Sequence, residues 1–393
     1  MVFFKKKKPN IIMIKIDAVR CDALDKTSFY QELKKKSIFF SNLITYAPYS
    51  IGSLHSTFSG MYGNQNGVNG YYKSFSFDKE NCFTLTQYLK EQGYYTEADW
   101  LNRNIAPQQG FDKIRVYDEH KDDVLKRHTQ VLNQIKTKEP FFLSLDHVAV
   151  HTELVTNVLK KYDDFSEEYF NDKDNNFKRY LEWVKQSGVY LKAVLEKIKE
   201  LGLWENSIIL IFSDHGTSVG DKIGEKAYGV YLYDYSLRCF LYLIGKDFPK
   251  NLHINSLVRT IDILPTILEI LKIKEKENYK KIHGKSFLPF IYGKEEERIA
   301  YSETGGLGGP TPSPEIHNVQ GVRTNKWKLI YNKENKKKEL YDLERDPNEE
   351  NNVIGEHKDI EEKLFREIEV MGKKYSEKTE SNDPSHIKLK AEN

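Results

Sequence analysis

Two short segments of this chain carry the residue types that bind hard cations, and each directly follows an apolar run. Asp17 comes after Ile11 to Ile16, a run broken only by Lys15, and Asp214-His215-Gly216 comes after Ile208 to Phe212. Carboxylates with a neighbouring histidine form a donor set for a divalent ion. A single aspartate at a strand end often only caps the helix behind it. A third segment, Ala47-Pro48-Tyr49-Ser50-Ile51-Gly52-Ser53, precedes a helical stretch ending at Ser59-Gly60. Ser50 there has two readings. It is an N-cap for free backbone N–H groups, or it is a nucleophile with its oxygen on a cation and an anion facing the helix end.

The elements that would position these residues are those of an α/β fold. Apolar runs at Ile11–Ile16, Phe141–Leu145, Ile208–Phe212 and Phe240–Ile244 read as strands covered on both faces. They alternate with helical patterns at Thr84–Gln92 (closing on Gly93), about Tyr180–Leu201 (closing on Gly202) and Asp262–Leu271. A mostly parallel sheet follows, with Asp17 and Asp214 at the carboxyl edge, where such folds bind ligands. From about Tyr301 the texture changes. A glycine-rich loop, Gly305 to Pro310, precedes two expected hairpin strands, Gly321–Tyr331 and Glu339–Leu343, with a lysine-rich turn between them. His317 in this region is a candidate for shaping the pocket. A charged helix from Glu356 and a polar tail complete the chain.

At 393 residues the chain exceeds what one core usually organises. We expect a main domain over 9–300, a smaller α+β subdomain over 301–355, and a helix and tail over 356–393. The 60 basic and 58 acidic residues nearly cancel, so nothing calls for a nucleic-acid partner. Cys21, Cys82 and Cys239 lack zinc-type spacing and read as buried thiols. The lysines at 5–8 read as a solvated lead-in, with a weak attraction to an acidic membrane surface as the lesser option. The apolar run after them is too short to span a bilayer and has no cleavage site, so no integral membrane segment and a cytoplasmic address are expected.

In this order the segments resemble the sulfatase family of the alkaline phosphatase superfamily, from Pro9 to about Val353. Asn10 to Arg20 is similar to the family's opening strand and metal aspartate, Ala47 to Tyr62 to its nucleophile segment, and Ser213-Asp214-His215-Gly216 to its second metal motif. Thr84 to Leu89 with Gly93-Tyr94, Asp262 to Thr266, Gly284 to Pro289, Val322-Arg323-Thr324 with Trp327-Lys328-Leu329, and Glu339 to Leu343 with Asp346-Pro347 match later landmarks. The resemblance implies an alkaline-phosphatase-like sandwich and assigns roles. Ser50 stands at the nucleophile; Asp17, Ser50, Asp214 and His215 hold a divalent cation (Mn, Ca, Mg or Zn). His151 and Lys226 contact the anionic group of the substrate, and His147 fits the pattern less cleanly, so a structural role is open for it.

The departures bear on the substrate. Conversion of a serine to formylglycine needs proline two residues on and arginine four residues on, where this chain has Gly52 and Leu54. The family's second aspartate is Ala18, its Lys-Trp-His segment is missing after Thr96, and Tyr228-Gly229 stands where many relatives have His-Gly. The expectation is an unmodified serine attacking a phosphate mono- or diester, or a sulfate ester, on a small-molecule, saccharide or lipid-linked substrate, by hydrolysis or transfer. A genuine sulfatase and a non-catalytic binding protein are the alternatives.

Overall fold

The computed structural model describes residues 8–294, 296–306, 314 and 316–376. The lysines at 5–7, most of the glycine-rich loop and the polar tail lie outside the described residues. Among the described residues, thirteen strands form two sheets. The large sheet holds β1 (Asn10–Ile16), β2 (Ile38–Ile44), β3 (Tyr95–Trp100), β4 (Lys113–Val116), β5 (Phe141–His147), β6 (Ser207–Phe212), β7 (Arg238–Ile244), β8 (Leu252–Ile254) and β9 (Val258–Arg259). Its order is β4-β3-β5-β1-β6-β7-β2-β8, with β9 also on β2. Only β7 runs against the others, pairing antiparallel with β6 and β2. This is the expected mostly parallel α/β sheet.

The central strands alternate between two cores. On β1, Ile12, Ile14 and Ile16 enter the core covered by the long Lys173–Glu200 helix, while Ile11 and Met13 enter the core that holds Leu54 and Phe58 of the Ser50–Ser59 helix. On β5 the second core takes Phe142, and on β6 it takes Ile208, Leu210 and Phe212. The period of two along a strand extends this parity to residues 15 and 17 after β1's Met13, to 146 on β5 and to 214 after β6. Lys15, Asp17, Asp146 and Asp214 thus belong to the face that the Ser50–Ser59 helix covers.

The helix expected over Thr84–Gln92 spans Leu85–Glu91, with Thr84 and Gln87 forming a reciprocal capping box. That expected from Tyr180 starts earlier, at Lys173; its first turns are polar and carry no apolar period. The stretch read as one strand, Gly321–Tyr331, is corrected to two. β11 (Val319–Arg323) and β12 (Trp327–Asn332) pair antiparallel around a turn where Thr324 Oγ1 accepts from the N–H groups of Lys326 and Trp327. With β10 (Ala300–Thr304) and β13 (Lys338–Asp342) they form a four-stranded antiparallel sheet. The charged helix covers Lys358–Ser376. Among the described residues no helix is long and apolar enough to cross a membrane.

The small sheet is fastened to the large one by buried charge. Asp234 accepts from Arg323 Nε and Nη2 (2.9–3.1 Å) and from Lys328 Nζ (2.5 Å), and Lys328 also pairs with Glu349 at 2.7 Å.

Candidate active site

The site forms where β5, β1 and β6 lie side by side and end at one edge of the sheet. Asp17 follows β1 directly, and its N–H donates to the His147 carbonyl at 3.0 Å. Ala18 then turns the chain with φ +58°, a left-handed conformation that alanine adopts at a cost and that aspartate or asparagine tolerates better. Tyr180 secures that turn, its hydroxyl donating to Ala18 O (2.9 Å) and accepting from Arg20 N (2.7 Å).

Ser50 is the first residue of its helix, and its hydroxyl makes no capping bond. It donates instead toward Asp17 Oδ2 at 3.1 Å and lies 3.3 Å from His215 Nε2. The hydroxyl is therefore turned toward Asp17 and His215. Gly52 permits the tight turn ahead of the helix, because a Cβ there would meet the Ala47 Cβ at 2.6 Å. Ser53 ties the helix to the second motif: its hydroxyl donates to Asp214 O (2.8 Å) and accepts from Thr45 Oγ1 (2.8 Å). Leu54, at the arginine position of the formylglycine pattern, is packed in the core.

His215 places Nδ1 2.8 Å from the carbonyl of Gly216. A carbonyl only accepts, so the proton sits on Nδ1 and the Nε2 lone pair faces Ser50 and Asp17. Gly216 is required there, since a Cβ would fall 2.0 Å from Tyr235 O. Ligand atoms of Asp17, Asp214 and His215 lie within 4.8 Å of one another. Asp17 Oδ1 and both oxygens of Asp214 are buried without a hydrogen bond. Bare carboxylate oxygens in a dry site are costly unless a cation meets them, so this donor set fits a divalent ion.

One cation is already present. Lys15, only 4% exposed, puts Nζ 2.6 Å from Asp17 Oδ2, 2.8 Å from Asp146 Oδ1 and 3.4 Å from Asp214 Oδ2. Burial works against its charge, but Asp146, Asp17 and Asp214 outweigh that and raise its pKa well above the ordinary value. For Asp17, burial pushes upward and is overcome by Lys15, His151 and His215, leaving its carboxyl well below the usual range.

His151, 21% exposed at the site's edge, has Nδ1 3.8 Å from Asp17 Oδ1 and 3.0 Å from the Tyr228 hydroxyl. Tyr228 also packs its ring 4.7 Å from that of His215. Burial, then the Asp17 charge, raises the Tyr228 pKa well above normal, so it is a phenol and not a phenolate. His147 stacks on Tyr190 at 3.8 Å, and burial lowers its pKa to about 3. Lys226 is not drawn into the cluster: its Nζ bonds to Tyr162 O (2.8 Å) and pairs with Asp164 (3.1 Å). Behind Ser50, the Tyr49 hydroxyl meets His317 Nε2 at 2.5 Å, and the Tyr46 hydroxyl donates to Glu303 of β10 at 2.6 Å.

The structure thus brings Asp17, Ser50, Asp214, His215 and His151 together and adds Lys15, Asp146 and Tyr228. Two of those additions left a trace in the sequence. Lys15 is the one charge inside an otherwise apolar strand, and Asp146 ends the β5 run much as Asp17 and Asp214 follow theirs.

A serine hydroxyl at a helix start thus faces two aspartates and a histidine on the edge of a mostly parallel sheet of the alkaline-phosphatase type. The family model "Sulfatase" matches residues 9–273, and the model "N-sulphoglucosamine sulphohydrolase, C-terminal" matches residues 228–374. The chain belongs to the sulfatase family of the alkaline phosphatase superfamily and is an enzyme of its hydrolase type. An ulvan-active sulfatase of Formosa agariphila is 23% identical over 92% of this chain and 79% of its own. Arylsulfatase K of Bos taurus is 27% identical over 48% of this chain and 35% of its own length. Among solved structures, BT4656 in complex with its substrate D-glucosamine-2-N,6-O-disulfate superposes with a TM-score of 0.74 at 17% identity, covering 97% of this chain and all of that one.

Proposed function

We propose that this enzyme cleaves a sulfate ester carried by a saccharide, using the unmodified Ser50 hydroxyl as nucleophile. The observation that carries the reading is the Ser50 Oγ, free of any capping bond and held between Asp17 Oδ2 and His215 Nε2. A divalent ion held by Asp17, Asp214, His215 and Ser50 would lower the hydroxyl pKa and offset charge on the ester oxygens. With His215 Nε2 committed to the ion, Asp17 Oδ2 is the acceptor in reach of the Ser50 proton. Oγ attacks sulfur in line, the bond to the sugar oxygen breaks, and an O-sulfoserine forms. A doubly protonated His151, with Nδ1–H donating to the Tyr228 oxygen, would carry its second proton on Nε2, pass it to the departing sugar oxygen and be left as the neutral ring. Water then attacks sulfur, releasing sulfate and restoring the Ser50 hydroxyl; a sugar alcohol in place of water makes the reaction a transfer.

A saccharide suits the rim. Tyr72 and Phe75 are 74% and 78% exposed, and Tyr72 is joined to the residue before the nucleophile through Tyr71, whose ring contacts both Tyr72 and Tyr49. Exposed rings beside a polar site offer faces on which sugar rings stack. The sulfated sugar bound by BT4656 supports the same class.

A second reading, attack on a phosphate ester, is favoured by Gly52 and Leu54, which remove the pattern for formylglycine formation. The two are separated by supplying sugar sulfates and sugar phosphates in parallel, with Mn²⁺, Ca²⁺, Mg²⁺ or Zn²⁺, and measuring the released anion. Ser50→Ala is expected to lower the rate by about 10³-fold or more, and the Ser50 peptide of the resting enzyme is expected to keep the mass of serine. Activity undiminished in Ser50→Ala, or a Ser50 peptide two hydrogens lighter, would overturn the mechanism.

A further inference from the structure

Lys15 is a fixed charge inside the seat for a mobile one. Its strand parity delivers it to the face under the Ser50 helix. Its direct neighbours in register are Asp146 on β5 and Phe212 on β6. The ammonium lies against the Oδ2 atoms of both Asp17 and Asp214. The Oδ1 atoms of these residues accept no hydrogen bond, and Asp17 Oδ1 faces His215 Nε2 at 3.6 Å. Asp17 is therefore divided, Oδ2 hydrogen-bonded to the lysine and Oδ1 left over, while Asp214, 3.4 Å from the ammonium, keeps both oxygens bare. Asp146 sits on the far side of the ammonium at 2.8 Å and holds it in place. The turn beyond Asp17 carries Ala18, so the chain has no adjacent carboxylate to restore the negative charge that Lys15 offsets.

We propose that Lys15 is a tethered cation that occupies one side of the metal seat, limits it to a single divalent ion and weakens the hold on that ion. The inference rests on Asp17, Asp214 and His215 being the ion's ligands. Two causes act together. The ammonium repels a dication across a few ångströms of dry protein, where charges are poorly screened. It also engages Asp17 Oδ2, which leaves Asp17 Oδ1, the two Asp214 oxygens and His215 Nε2 as the available donors. Lys15 is thus a determinant of metal affinity and stoichiometry and not a group that touches substrate. In return, the site keeps part of its positive charge when no metal is bound.

The test is calorimetric titration of Mn²⁺ into the wild-type chain, Lys15→Met and the double variant Lys15→Met/Asp146→Asn, with circular dichroism to confirm folding. The single variant strands Asp146 as a buried unpaired charge, which favours unfolding; the double variant removes both charges, so a folded comparison is retained. The wild type is expected to bind at most one Mn²⁺, and the folded variants to bind it at least about tenfold more tightly. Adding Asp17→Asn to the double variant is expected to abolish that gain. A wild type that binds no Mn²⁺ beside a double variant that binds it also supports the proposal. It is overturned if the folded double variant binds no more tightly than the wild type, if neither binds, or if the gain survives Asp17→Asn. None of these readouts depends on turnover, so a failure here is distinct from an enzyme that proves inactive on sulfate and phosphate esters.

Discussion

Asp214 and Asp234 are both buried aspartates beside buried cations, and the fold treats them in opposite ways. Asp234 has both oxygens filled by Arg323 and Lys328. These cations hold its carboxyl well below the ordinary range against the upward push of burial. Asp214 accepts no hydrogen bond, and its nearest cation, Lys15, stays 3.4 Å away. A saturated buried carboxylate stabilises the join between two sheets. An unsaturated one is kept for something that arrives. Pairing, not burial or charge alone, is what distinguishes the two acids here.

The comparison can be broken by exchanging the two losses. Asp214→Asn is expected to lower turnover by about 10³-fold or more while the melting temperature holds or rises, because removing a bare buried charge relieves a cost. Steady-state kinetics with a thermal melt checks both. Asp234→Asn should do the reverse, costing about 3 kcal/mol or more of stability by leaving Arg323 and Lys328 with fewer partners, while turnover per folded molecule holds. Denaturant titration alongside an active-fraction count would show it, and a turnover loss that exceeds the unfolded fraction would contradict the division.

A third carboxylate sharpens it. Glu303 is buried, which alone would raise its pKa, but His317, Tyr301 and Tyr46 overcome this and bring it to about 2, from 4.5. A depressed folded-state value gives stability that is full above the unfolded pKa and lost as pH falls from about 4.5 toward 2. Glu303→Gln should therefore be less stable at pH 7 by up to about 3 kcal/mol, with the gap closing across that acid range. Equal stability of the two proteins at neutral pH would sink the assignment. The smallest effect is expected at the rim. Tyr228→Phe removes the hydroxyl that orients His151 and should lower kcat about tenfold with little change in melting temperature.

How much of this was legible depended on whether burial and polarity agreed. β1, β5, β6 and β7 were readable because strands covered on both faces are nearly continuous apolar runs. β3 was not, because Tyr95–Trp100 contains Glu97 and Asp99, which look like loop residues until Arg115 and Arg127 are seen pairing with them. β2 was hidden by Ser41 and Asn42, where its pairing with β7 shifts register. In the site, the sequence order brought out Asp17, Ser50, Asp214, His215 and His151. Lys226, placed by the same resemblance, is engaged elsewhere. Lys15 was visible as an interruption, yet its meaning needed the register that sets it beside Asp146.

The struts behind the nucleophile have a consequence for synthesis. The Ser302 hydroxyl donates to the Thr45 carbonyl, Glu303 receives the Tyr46 hydroxyl, and His317 meets Tyr49. The loop leading to Ser50 is thus braced by residues that leave the ribosome long after it does. A nascent chain that has finished β9 already holds Asp17, Ser50, Asp214 and His215, but the hydrogen bonds that Glu303 and His317 make to Tyr46 and Tyr49 come later. The bracing of the nucleophile loop is completed only once His317 has been made, so a shorter chain would carry Ser50 on a loop that lacks these hydrogen bonds.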